Sequence, residues 1–371
     1  MDASMAVKYH YGAFPPQHIS LERILSRLLR ATEALARYDQ VLRSLHNTEF
    51  FLAPLRNREA VISSRMEGTI STLDEILQFQ ADMDEASEDP DTVRSDIFET
   101  ILYQRALSNA QRAMEEGYPL SQHLVKTIHQ QLLSYGRGAQ KSPGRYKTEQ
   151  NYLADKIRQQ IEFIPVSPEK LVDGMETLFA FLHDSELPVL VKTALMHLEF
   201  EALHPFQDGN GRVGRMLIPL YLWAGGLLTH PHFYISGYME EHKDEYIGLM
   251  RKVSADGSWE DWCNFFFQAV EVQSLENIRV AEAIRALYEE MKAIFSETLS
   301  SRWSVNALDF IFTNPVFRNH RFSTVSGIPV PTVSRFTRIL LERGIIRTIR
   351  VASGRRPALF AFEPLLSLIR V

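Results

Sequence analysis

Cysteine is almost missing from this chain: Cys263 is the one thiol in 371 residues. A single thiol cannot build an intramolecular disulfide framework or a multi-cysteine zinc site, and it fits a reducing compartment, so a cytoplasmic location is expected. Long apolar runs are missing too. No stretch reaches the roughly 18–20 residues that a membrane helix needs, and residues 1–17 lack a basic segment followed by an apolar one, so neither membrane insertion nor secretion is expected. Lysine is absent from the last 71 residues, which carry 11 Arg against only Asp309, Glu342 and Glu363. That segment is +8 and the first 300 residues are −14, within a net charge of −6. The asymmetry points to a separate C-terminal module, although a solvated basic face would give the same count. No repeat of 20–50 residues recurs, which removes a solenoid.

What is present is enough to bury sizeable cores: 45% of residues are hydrophobic and 11% aromatic. The length favours two to three units. Apolar side chains recur at three- and four-residue steps over 21–45, 92–116, 121–134, 168–183 and 188–203, predicting helices. Residues 82–91 hold six acids and a proline, an exposed loop. Residues 155–166 (DKIRQQIEFIPV) suit a short hairpin or a plain connecting loop. A long helix is expected over 259–295, with Trp262, Phe265, Phe266 and Val270 on a buried face. Helices at 304–313, 322–327 and 331–343, followed by apolar β-rich runs at 345–351 and 358–362, predict a winged helix-turn-helix. The fold class is therefore mainly α. The expected boundaries are an N-terminal helical region 1–92, a core 93–300 and the winged module 301–371.

The densest chemistry lies in HPFQDGNGRVGR at 204–215. One helix ends at a proline, two glycines bracket Asn210, and a new helix begins. Glycines before a helix leave backbone N–H groups open, and the helix N-terminus adds positive potential, so this turn is suited to phosphate oxygens. Arg212 and Arg215 lie three apart, where two guanidinium groups could clamp further phosphates. Asp208 offers a carboxylate for magnesium, which keeps most of its shell as water and phosphate oxygen. His204 is the one side chain of the stretch with an ordinary pKa near neutrality, and so the candidate general base. Singly, such residues are more often a capping histidine or an Asp-Gly turn.

Together they resemble the signature of the Fic family, His-x-Phe-x-Asp/Glu-Gly-Asn-Gly-Arg-x-x-Arg, with every fixed position filled. The likeness extends over about 143–270, through SPGRYKTEQNYLAD and, more weakly, YISGYMEEHKDEY. It implies a Fic helical core with a short β-hairpin flap, and transfer of AMP from ATP to a Ser, Thr or Tyr hydroxyl of a target protein with release of pyrophosphate. In that reading His204 deprotonates the hydroxyl and Asp208 binds Mg2+. Phe206 anchors the loop, and Gly209, Asn210 and Gly211 form the anion hole. Arg212 and Arg215 take the outer phosphates, with Val213 and Gly214 completing the ATP-binding turn. Relatives that phosphorylate carry a lysine where this chain has Gly211, which favours nucleotidyl transfer. The flap at 155–166 would pair with an extended target segment. Tyr246, or less directly Tyr238, would line the base pocket.

Upstream, SSRMEG at 63–68 fits the family's inhibitory-helix pattern Ser/Thr-x-x-x-Glu-Gly/Asn, a loose motif that a surface glutamate would also satisfy. The resemblance implies that Glu67 pairs with Arg215 and keeps ATP in an unproductive pose; the same glutamate could orient water for AMP removal. In the C-terminal module Thr332, Ser334, Arg335 and Arg338 fall on or near one helix face, with Arg355 and Arg356 at the wing turn, as in helix-turn-helix contacts to DNA. The same fold also serves dimerisation or target docking, and relatives with this layout often form homodimers. An ATP-sensing DNA-binding regulator is the alternative function.

Overall fold

A computed structural model of the chain describes residues 3–44, 48–82, 94–155, 159–354 and 356–370. The acidic stretch expected as a loop lies, past Asp82, outside the described residues, as does Arg355. The protein is mainly helical, with two three-stranded sheets among the described residues.

In chain order the elements are β1 (Val7–Lys8), α1 (Leu21–Ser44), α2 (Thr48–Met66), α3 (Leu73–Asp82), α4 (Ser95–Glu115), α5 (Gln122–Leu132), β2 (Leu153–Asp155) and β3 (Gln160–Ile164). There follow α6 (Pro168–Asp184), α7 (Val189–Leu203), α8 (Asn210–Ala224), α9 (Ser236–Glu241), α10 (Lys243–Asp256) and α11 (Trp259–Leu299). The chain closes with α12 (Ser304–Thr313), β4 (Val316–Phe317), α13 (Asn319–Ser326), α14 (Val330–Glu342), β5 (Arg347–Arg350), β6 (Leu359–Ala361) and α15 (Glu363–Ile369). The predicted helices are present with ends shifted by a few residues, and α13 begins earlier than expected, at Asn319, whose Oδ1 accepts from Thr337 Oγ1. Sequence patterning assigns no element to α3, α9, α10, α15, β1 or β4. The last two have only two residues each, too few for alternation to register.

Two compact units divide the chain. The first holds residues 1–40, 62–69 and 101–275. Its centre is α7, apolar on nearly every side, as a helix buried all round must be. Gly174 of α6 faces Leu203, and Gly214 of α8 faces Phe200 and Glu201, so both neighbours approach α7 where a Cβ would not fit. The aromatic stripe of α11 closes another side, and Trp262 Nε1 donates to Ala194 O at 2.8 Å. The hairpin forms as expected: β2 and β3 pair antiparallel, while β1 lies parallel to β3 in the order β1-β3-β2.

The second unit holds residues 41–61, 70–100 and 276–371. Here α12, α13 and α14 precede the antiparallel pair β5–β6, and β4 adds to β6, the element order expected of a winged helix-turn-helix. Phe310, Phe317 and Phe322 fill its core, the first and last stacked at 4.5 Å. Much of its arginine excess is committed locally: Arg318 to Asp82, Arg347 to Glu363, and Arg370 to Asp74 and Glu363.

Candidate active site

His204 caps the C-terminus of α7 with left-handed backbone (φ 46°), which a non-glycine residue adopts only when its surroundings hold it. Its ring Nδ1 lies 3.3 Å from Glu201 O, the distance of a weak N–H donation, which leaves the Nε2 lone pair for a reacting proton. Burial, with the nearby Lys147 charge, pushes its pKa down to about 4, so the imidazole is neutral at pH 7.

The loop beyond is closed by its own side chains. Asn210 Oδ1 accepts from Phe206 N and its Nδ2 donates to Phe206 O, both at 2.8 Å. Phe206 is fully buried and stacks on His129 at 3.7 Å. His129 Nδ1 accepts from Gly144 N at 2.8 Å, so its Nε2–H donates to Asp208 O at 3.0 Å. Gly209 takes the N-cap of α8 at φ 77°, a left-handed position that favours glycine. Asp208 Oδ1 accepts from Gly209 N at 2.7 Å and lies 3.9 Å from Arg212 Nη2, while the carboxylate stays 43% exposed. Among the described residues no cluster of three or more His, Cys, Asp or Glu could hold a metal by itself.

Arg215 is buried and its fork is filled from the end of α2. Nε donates to Ser63 Oγ at 2.8 Å, and Nη2 donates to Ser63 O at 2.9 Å and to Glu67 Oε1 at 2.7 Å. Burial raises the pKa of the Glu67 carboxyl, but the Arg215, Arg212 and His204 side hold it below the ordinary value. The open face of Gly211 is turned to this carboxylate: a Cβ there would collide with Glu67 Oε1 and crowd Arg215 Nη1. Glu67 therefore occupies the first turn of α8, where the sequence predicts an anion. Its helix end is tied down by Arg65, which donates twice to Glu240 at 2.6 Å, and by Lys243 Nζ on Met66 O at 2.8 Å.

These groups share a cleft of about 540 Å3, lined by Glu67, His204, Gly211, Arg215 and Tyr246 together with Leu153 and Phe163 of the hairpin. Tyr246 is buried, pairs with His197 Nε2 at 2.8 Å, and has its hydroxyl pKa raised, chiefly by burial. Tyr238 stacks on His242 instead and does not line this cleft. Val213 is fully buried, and Gly214 faces α7. Sequence reading missed Glu201, which lines the cleft with Oε1 buried and without a hydrogen-bond partner; burial pushes its pKa up to about 8. Its position one turn before His204 was the available signal. In the second unit, Ser334, Arg335 and Arg338 are exposed on α14 and Thr332 is half-buried.

The Fic/DOC family profile matches residues 119–222, and the Fic/DOC N-terminal profile matches 25–112. The chain belongs to the Fic/DOC family. Among Fic/DOC relatives, a probable protein adenylyltransferase of Aquifex aeolicus is 28% identical over 169 residues, 44% of this chain and 49% of that protein. Protein adenylyltransferase fic-1 of Caenorhabditis elegans is 29% identical over 105 residues, 28% of this chain and 19% of its own. A uridine 5'-monophosphate transferase of Xanthomonas campestris is 30% identical over 125 residues, 32% of this chain and 23% of that one. The chain thus spans half or less of the length of these relatives. A crystal structure of a Fic family protein from Desulfovibrio desulfuricans shares the fold, with a TM-score of 0.57 at 19% identity over 94% of this chain and 98% of that one.

Proposed function

We propose that this Fic/DOC protein is an autoinhibited protein adenylyltransferase, moving AMP from ATP to a Ser, Thr or Tyr hydroxyl of a target protein. The carrying observation is that a neutral His204, the open N-terminus of α8 and the Arg215 fork meet in one cleft, with the Glu67 carboxylate lodged among them. The target oxygen attacks the α-phosphorus, its proton passes to His204 Nε2, and the bond to pyrophosphate breaks. Backbone N–H groups at Asn210 and Gly211 face the charge that develops, with Gly209 setting the left-handed turn before them and giving its own N–H to Asp208, and Arg212 and Arg215 hold the outer phosphates. Asp208, exposed and with one oxygen on Gly209 N, fits a magnesium ion that takes its remaining ligands from water and phosphate. Bound there, the metal would supply charge neutralisation. The edge of β3 is already taken by β1, so an extended target segment adds to β2. Tyr246 lines the base pocket.

Glu67 inhibits by filling the Arg215 fork and by setting a negative charge where phosphate would lie. Incubation with α-labelled ATP and magnesium, reading label on the protein and on a cell lysate, tests the whole reading. Strong label is expected with Glu67→Gly, weak label with wild type and none with His204→Ala. Because a relative named as a uridine 5'-monophosphate transferase matches part of this chain, α-labelled UTP runs in parallel; label from UTP alone overturns the assignment of ATP. No label in any variant overturns transfer. The second reading, favoured by the exposed Ser334, Arg335 and Arg338, is an ATP-sensing regulator that binds DNA through α14. In that case the His204→Ala protein would retain nucleotide-dependent DNA binding and its effect.

A further inference from the structure

Four successive carbonyls across the turn that carries His204 accept hydrogen bonds from two residues of a single segment. Lys147 Nζ donates to Leu203 O at 3.0 Å, and Lys147 N donates to Pro205 O at 2.8 Å. Asn151 Nδ2 donates to His204 O at 3.1 Å and to Phe206 O at 2.9 Å. The two side chains are also joined, since Lys147 Nζ donates to Asn151 Oδ1 at 2.8 Å. An ammonium only donates and a carbonyl only accepts, so this network fixes which way the Asn151 amide points. Lys147 is buried, and its desolvation pushes its pKa down to about 7, a cost that only well-placed acceptors offset.

The need for such a brace is local. Leu203 ends α7 and His204 and Pro205 follow it, where carbonyls have no helical partner, and Pro205 brings no N–H of its own. His204 stands in left-handed backbone, a conformation that is costly for any residue but glycine. The hydrogen bond from His204 N to Phe200 O supports one side of the residue only.

We infer that Lys147 and Asn151 are positioning residues that hold His204 in its left-handed turn and aim its Nε2 into the cleft. This rests on the transferase reading above. Neither side chain lines the cleft, so their loss should act on the chemical step and not on nucleotide capture. Misplacing a reacting group by about 1 Å costs on the order of 100-fold.

The test uses the full chain with Glu67→Gly as the parent, so that transfer is measurable. Asn151→Asp keeps the shape but replaces both donors with acceptors facing carbonyl oxygens; Lys147→Met keeps the length and removes the charge. Each is expected to lower kcat about 10- to 100-fold while KM for ATP stays within about threefold. The ring 15N shifts of His204, assigned by loss of signal in His204→Gln, should move from one fixed tautomer toward a mixture. Tm is recorded for each, and if one variant does not fold the other decides. Unchanged kcat and unchanged His204 shifts in a folded variant overturn the inference. So does a loss seen only in KM. An inactive Glu67→Gly parent would instead overturn the transferase reading, and the 15N measurement would still decide whether the brace holds the ring.

Discussion

At the residue scale, the Arg215 guanidinium is occupied by two oxygens of Ser63 and one of Glu67, all from the end of α2. These contacts differ in weight. In the autoinhibition proposed above, the Glu67 carboxylate carries the charge that would block the anion position, whereas Ser63 Oγ is a neutral acceptor worth about 1 kcal/mol. Ser63→Ala should therefore loosen inhibition without abolishing it, because Ser63 O and Glu67 remain. A rise in AMP transfer of about fivefold is expected, well short of Glu67→Gly, and initial rates with labelled ATP on the three proteins check the order. Glu67 and Glu201 show how one environment separates two carboxyls. The first is held ionised against a guanidinium, and the second is pushed toward its protonated form by burial.

At the element scale, α3 and the arginines after α12 form the ion pairs that shape the second unit. Arg318 is buried and donates to Asp82 through Nε at 2.7 Å, with Nη2 at 2.6 Å; its Nη1 reaches Pro357 O. Arg350 reaches the same carboxylate at 3.4 Å but is more exposed. Breaking a buried pair leaves an uncompensated charge, at about 3–5 kcal/mol, whereas exposed pairs contribute about 0–1 kcal/mol. Asp82→Ala should lower the urea midpoint sharply and Arg350→Ala only slightly. Equal effects would mean that Arg318 finds another partner. The same pairing means that the +8 of the last 71 residues overstates the charge this module offers to a partner.

At the scale of the whole molecule, buried neutral histidines set the response to acid. His129 and His197 are fully buried, and desolvation pushes their pKa values down to about 4 and about 3 from 6.5. Between pH 6.5 and 4 the unfolded chain binds two protons that the folded chain refuses at these sites. Stability therefore rises with pH in that window and falls on acidification, by up to about 2.7 kcal/mol per pH unit. Urea unfolding at pH 7, 6 and 5 should give falling midpoints, with a shallower fall in His129→Gln. A flat profile would mean that these rings protonate without cost.

The sequence by itself determined the candidate set of site residues. The run from His204 to Arg215 is local, so its glycines, carboxylate and arginines could be read in order, and Glu67 could be read because its motif lies on one helix end. Helical periodicity likewise located most helices, since one apolar stripe repeats every few residues, whereas the β-branched and aromatic residues of 155–166 suited a hairpin and a plain loop alike. Only the tertiary structure decided what holds these groups. Lys147 and Asn151 stand more than fifty residues before the carbonyls they brace, His129 reaches Asp208 O across 79 positions, and β1 covers the hairpin from the far N-terminus. Tyr246 was separated from Tyr238 by which ring faces the cleft, a matter of packing. Such contacts join residues with no spacing rule between them, so they exist only once the chain has folded.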